Sequence, residues 1–190
     1  MSKIFFHKFP VTSQVFYKSK FTFALVNLKP IVPGHVLVVP LRVVPRLKDL
    51  SPEESVDYIM TVQLIHSFIE KVYKADSLNL AMQDGVAAGQ SVPHVHTHII
   101  PRYLNDGYGD GIYELLESHE QDLHSFFQMA VKKMQVARDE DRKPRSMEVM
   151  EKEAEWLRAE LSEFIKSREA LQSDEAKDVG GLLQSRDQEA

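Results

Sequence analysis

The chain has 190 residues, 43% of them hydrophobic, with 23 Lys+Arg against 28 Asp+Glu for a net charge of −5. That length suits one domain with appendages, and such a core is large enough to fold unaided. The absence of cysteine excludes disulfides and thiolate zinc sites and assigns any nucleophile to another residue type. No stretch approaches the roughly 20 apolar residues of a spanning helix, so no membrane partner is expected. Met1 to Lys8 is interrupted by charge before an apolar signal segment develops, so the expected location is the cytoplasm, with the nucleus also open to it. Charge is uneven: residues 1–103 carry 11 Lys+Arg against 7 Asp+Glu, and residues 104–190 carry 12 against 21. A mildly basic front half favours a small anionic ligand, and the acidic back half argues against a nucleic-acid partner.

Phe21 to Val26 is aromatic and β-branched and reads as a strand. Pro33-Gly34 is a turn signal, and Val36 to Val39 reads as a buried strand closed by Pro40, antiparallel to the first. Ser51, Pro52, Glu53 and Glu54 form a helix-start signature. Val56, Ile59, Met60, Leu64, Ile65, Phe68, Ile69 and Val72 follow at three- and four-residue spacing, predicting a long helix whose apolar stripe packs on the sheet. Ser77 to Met82 reads as a short strand, Gly85 and Gly89 bracket a loop, and His94 to Ile100 reads as the last strand, stopped by Pro101. Beyond Leu104 the chain turns polar: 105–111 reads as a flexible run, and little periodicity returns before about Arg145. A second helix is expected from about Ser146. Its seam of Met147, Met150, Ala154, Leu157, Leu161 and Phe164 either packs on its own domain or meets another subunit. Residues 171–190 read as a disordered tail.

The chemistry concentrates at His94-Val95-His96-Thr97-His98. On a strand, alternate side chains share a face, so all three imidazoles are expected to project together, about 6.6–6.8 Å apart at the backbone. Burying three titratable rings brings no packing gain, which points to a site. Gly89-Gln90-Ser91-Val92 just upstream suits close approach by phosphate oxygens. One reading is zinc on three imidazoles with an open fourth position; no nearby carboxylate stands out to orient such ligands. The other is nucleophilic: imidazole is largely deprotonated at neutral pH, and flanking histidines with Gln83 and Gln90 can steady a phosphoryl group. The nucleophilic reading is the more economical, with the middle histidine, His96, as attacker because it has a partner on either side. His66, His119 and His124 read as surface residues.

His94 to Ile100 resembles the histidine triad signature, and the surroundings resemble its fragile-histidine-triad branch. Those surroundings are Phe23 to Pro30, Val32 to Val38, Pro40-Leu41-Arg42 and Gln83 to Val92. The resemblance is dense over about residues 5–103, weakens afterwards, and resumes near Ile112-Tyr113-Glu114 and in the C-terminal helix. It implies an α+β, histidine-triad-like fold with a five-stranded antiparallel sheet, one long helix packed on it and a C-terminal helix, paired as a homodimer. The chain then divides into a catalytic domain (1–103), a flexible insert (104–145), a helix completing the domain (146–170) and the tail. The implied activity is hydrolysis of dinucleoside polyphosphates, P1,P3-bis(5'-adenosyl) triphosphate above all, to AMP and ADP through a nucleotidyl-histidine intermediate. His96 would be the nucleophile, His98 would contact the transferring phosphate or its bridging oxygen, and His94 and His35 would form the supporting hydrogen-bond network. Asn27 and Gln83 would hold ribose or phosphate, Gly89, Gln90, Ser91 and Val92 would line the phosphate path, and Lys8 would flank the base. No tightly bound cofactor or metal is implied, a divalent cation (Mg or Mn) being at most a companion of the substrate phosphates. Thr97 departs from the apolar pattern but should point away from the site. Tyr113 resembles a family tyrosine open to phosphorylation. His98 argues against the transferase branch, which has glutamine there. An alternative function is a nucleotide-binding signal module, read by partners through the insert and the C-terminal helix.

Overall fold

β-Branched and aromatic residues set the sheet. In this computed structural model, which describes residues 3–117 and 145–186, β3 (Val15–Lys18), β4 (Thr22–Val26), β5 (Val36–Pro40), β6 (Ser77–Ala81) and β7 (Thr97–Arg102) form one antiparallel sheet ordered β3-β4-β5-β7-β6. The five-stranded antiparallel sheet is thus borne out. A separate hairpin joins β1 (Phe5–Phe6) to β2 (Phe9–Pro10). The edge strand Val15–Lys18 and this hairpin carried too little periodic signal to be read from sequence. The last strand begins at Thr97, not His94, and runs through Pro101, which pairs with Leu78. Proline is tolerated where its missing N–H is not needed by the ladder.

The sheet has two unlike faces. Ala24, Val26, Val36, Val38 and Ile99 face helix α1 (Pro52–Tyr73) and helix α3 (Met147–Arg186), and all five are fully buried. Phe23, Leu25, Leu37 and Val39 face the other way, against Phe6, Val11 and Val92. Helix α1 starts as its sequence dictates: Ser51 accepts from the Glu54 N–H and Glu54 accepts in return from the Ser51 N–H, with Pro52 first in the helix. Its inward face differs from expectation. Val56, Ile59 and Met60 are exposed, and the buried line runs through Glu54, Tyr58, Thr61, Ile65, Phe68 and Ile69. Glu54 is satisfied there by a two-pronged bond from Arg42 at 2.8 and 2.6 Å.

The C-terminal seam packs on its own domain: Met150, Ala154, Leu157 and Leu161 lie in the same core as Tyr58 and Ile65, although Met147 is exposed. That seam is therefore not offered to a partner. The helix runs on to Arg186, past its expected end at 170. Residues 105–111, expected to be flexible, form a turn gathered by Asp106, which accepts from Arg102, Tyr103 N–H and Tyr108 N–H. A short helix α2 follows at 111–117, its Ile112 and Leu116 buried on Val32 and Ile100. His119 and His124 lie outside the described residues.

Thr97, the residue that breaks the apolar pattern, points toward α1 and pairs with Val38 across the ladder. The buried Tyr58 hydroxyl lies 2.7 Å from Thr97 Oγ1 and donates to the Val38 carbonyl at 3.1 Å. The polar pair is thus matched inside the core. Tyr58→Phe should cost about 1–3 kcal/mol by stranding the threonine hydroxyl. The double variant with Thr97→Val should recover part of that loss in urea unfolding; simple addition of two losses would show the pair to be uncoupled.

Candidate active site

The site lies on the sheet face away from α1 and α3. His98 pairs with Leu37, a residue of that face, and His96 precedes it by two. Their rings are 5.0 Å apart between centroids. His94 meets the same Phe6 ring as His96, but not as a residue of the strand. It sits before the strand, where the backbone is held by His94 N–H to the Val92 carbonyl and Val95 N–H to the Val44 carbonyl. Phe6 packs against both rings, stacked on His94 at 5.6 Å and edge-on to His96 at 5.2 Å.

Hydrogen bonds fix which nitrogen carries each proton. The Ile31 N–H donates to His35 Nδ1 at 3.1 Å, so the His35 proton is on Nε2. That nitrogen lies 2.9 Å from His98 Nδ1, which must accept, leaving the His98 proton on Nε2. Asn27 Nδ2, 3.2 Å from His35 Nε2, then faces another donor and makes a packing contact, while Asn27 Oδ1 accepts from the Lys29 N–H. His96 Nδ1 stands 2.8 Å from the His94 carbonyl, which can only accept. The His96 proton is therefore on Nδ1 and the basic lone pair on Nε2. The arrangement sets a basic imidazole nitrogen beside a ring that carries an N–H hydrogen-bond donor.

His94 plays a different part. Its Nδ1 accepts from the His7 N–H at 2.9 Å and its Nε2–H donates to the Pro40 carbonyl at 2.9 Å. Both nitrogens are thus tied to backbone, so a three-imidazole zinc centre does not fit this arrangement. Support of His96 comes from the His94 carbonyl, not from its ring. Burial holds the His94 imidazole down at about 4.

The remaining sequence candidates are distributed unevenly. Asn27 and His35 are buried beside the triad. Gln83 is buried, and its Oε1 has no hydrogen-bond partner among the described residues. Gly89, at φ +89°, brings the loop onto Gln83; a Cβ there would come within 3.1 Å of Gln83 Nε2. Gln90 spends its amide N–H on the Pro45 carbonyl at 2.8 Å. Val92 is buried in the core and Ser91 half-buried, whereas Lys8 is exposed with its ammonium over the Phe9 ring. Tyr113 is exposed, its hydroxyl accepting from Asn79. Sequence reasoning missed Phe6, the His7 N–H and Arg145, which donates to the Asn27 carbonyl at 2.5 Å and pairs with Glu153. Only the position of Phe6 in a short aromatic run hinted at its role.

A neutral, buried His94 links stability to pH. The unfolded chain takes up the His94 proton below about 6.5 and the folded chain only below about 4, so folding weakens as pH falls between them. The loss should reach about 3 kcal/mol by pH 4, and NMR should find the His94 ring titrating near 4 in the folded protein. An ordinary titration near 6.5 would contradict the assigned bonding.

Comparison with known proteins places this constellation. Residues 8–105 match the model of the HIT domain family. The chain is 49% identical over 174 residues to a bis(5'-nucleosyl)-tetraphosphatase [asymmetrical] of Schizosaccharomyces pombe, covering 85% of this chain and 96% of that one. It is 48% identical over 198 residues to a bis(5'-adenosyl)-triphosphatase of Saccharomyces cerevisiae, covering 88% and 96%. A solved Plasmodium falciparum diadenosine triphosphate hydrolase in complex with Cyclomarin A has a TM-score of 0.64 at 27% identity, with 86% of each chain covered. With the family model spanning more than half its length and such relatives aligned almost end to end, the chain belongs to the HIT domain family.

Proposed function

We propose that the chain hydrolyses dinucleoside polyphosphates, preferring P1,P3-bis(5'-adenosyl) triphosphate, to AMP and ADP through a nucleotidyl intermediate on His96. The observation that carries this reading is the 2.8 Å bond from His96 Nδ1–H to the His94 carbonyl, with the His98 ring alongside. His96 Nε2 attacks the phosphorus of one nucleotidyl group, and the bond from that phosphorus to the bridging oxygen breaks. The nucleotide leaves as its phosphate anion, and His98 Nε2–H donates a hydrogen bond to the leaving oxygen while keeping its proton. As His96 becomes cationic, its Nδ1–H bond to the carbonyl turns charge-assisted and strengthens. Water then attacks the same phosphorus, the bond to His96 Nε2 breaks, AMP is released, and the proton shed by the water passes to solvent. His35 keeps His98 in the needed tautomer throughout.

The binding roles follow the donors present. Gln83 Oε1 is a buried acceptor, so it suits a ribose hydroxyl better than a phosphate oxygen, which only accepts. The loop of Gly89, Gln90, Ser91 and Val92 would line the phosphates. A divalent cation would enter with the substrate, pairing with its phosphates. Two copies would pair as a homodimer, for which the edge strand β6, with Leu80 half exposed, offers an unpaired ladder.

His96→Ala should lower turnover on the order of 10⁴-fold, because no other side chain forms the adduct, while substrate binding persists. Product analysis of triphosphate- and tetraphosphate-bridged dinucleotides and an AMP-amide tests both variant and wild type. Near-normal turnover by the variant, or preference for the amide, would overturn the proposal.

A further inference from the structure

The end of β5 and the connector after it hold the two halves of the site together. His94 Nε2–H donates to the Pro40 carbonyl, and Val95 N–H to the Val44 carbonyl at 2.8 Å. These bonds fix the lead-in to His96. Further along the same segment, Pro45 accepts from Gln90, and Arg46 and Leu47 grip Asp84. Those bonds fix the loop of residues 83–90.

Most of these links use backbone carbonyls, which any sequence supplies. The grip on Asp84 is specific. Its Oδ1 accepts from the Leu47 N–H at 2.9 Å and lies 3.1 Å from Arg46 Nε. Its Oδ2 accepts from Arg46 Nη2 at 3.2 Å. The next residue, Gly85, adopts φ +107°, and a Cβ there would fall 2.8 Å from the Arg46 guanidinium carbon. The left-handed backbone angle favours glycine, and without a side chain there the guanidinium sits directly against the loop backbone. On the other side of Asp84 is Gln83, whose buried Oε1 has no partner among the described residues. Both carboxylate oxygens are held immediately beside a side chain that the substrate needs.

We propose that the Arg46–Asp84 pair is a positioning device for substrate binding, setting the 83–90 loop at its working distance from His96. The inference rests on the hydrolase reading above and assigns the pair to binding, not to the reacting atoms. The loop carries groups that hold unreacting parts of the substrate, in the ground state and the transition state alike. Loosening it removes uniform binding, which raises KM and spares kcat. A pair that served only folding would lower the active fraction instead, depressing apparent kcat with KM unchanged.

Steady-state kinetics of the full chain with diadenosine triphosphate, alongside thermal melts, separate the two. Asp84→Ala and Arg46→Ala should each raise KM about tenfold, with kcat within about twofold of wild type. The double variant should raise KM no further than either single, since both remove one shared interaction. Asp84→Asn keeps an acceptor for the Leu47 N–H and should fall between, at about threefold. Arg46→Lys keeps the charge without the guanidinium Nη2–H that reaches Asp84 Oδ2 and should resemble Arg46→Ala. Unchanged KM, a loss confined to kcat, or single effects that multiply in the double variant would overturn the proposal. If wild type fails to turn over the dinucleotide, the hydrolase reading fails. The pair is then judged by AMP titration calorimetry of wild type and Asp84→Asn: weaker binding by the variant supports it, and equal binding overturns it.

Discussion

The bond between His96 Nδ1–H and the His94 carbonyl decides the chemistry this chain can do. It holds the proton of the middle imidazole on the inner nitrogen and presents the basic nitrogen outward. A neutral histidine in the other tautomer would offer an N–H where the lone pair is needed. Everything near the site serves that orientation. The carbonyl is fixed because the His94 ring is fixed, by the His7 N–H on one nitrogen and the Pro40 carbonyl on the other. The His94 ring thereby works as a structural clamp, and burial keeps it neutral over the pH range in which it must hold.

A second chain of bonds runs from the opposite end. The Ile31 N–H sets the His35 tautomer, and His35 sets that of His98. Two independent backbone anchors thus specify a basic nitrogen on His96 and an N–H donor on His98, with the two rings side by side. The fold permits this because α1 and α3 cover one face of the sheet, and the other carries the N-terminal hairpin and the histidines. Thr97, between the two working histidines, turns to the helix side and bonds Tyr58. Alternation along one strand separates scaffold from chemistry.

The sequence made much of this legible, for identifiable reasons. The two-residue spacing of His96 and His98 places them on one face, and the capping residues Ser51 and Glu54 mark the start of α1. The seam of α3 declares an apolar face, though only packing shows that it is spent on the chain's own core. Other features depend on contacts distant in sequence. His94 departs from the strand pattern because its backbone bonds to Val92 and its neighbour to Val44. Val56, Ile59 and Met60 fit helical spacing as well as the residues that are buried, so periodicity alone could not choose the inward face. Arg46 and Asp84 lie 38 residues apart and become a pair only once the connector and loop meet.

Direct chemical capture reaches the central claim more closely than any loss of function. Wild-type protein mixed with adenine-labelled diadenosine triphosphate is quenched within milliseconds in alkaline denaturant, which spares a phosphorus–nitrogen bond. Proteolysis and fragmentation then locate any protein-bound nucleotide. The account predicts AMP attached to His96 during turnover and absent once substrate is exhausted. No bound nucleotide at any time while products accumulate, or nucleotide mapped to a different side chain, would contradict it.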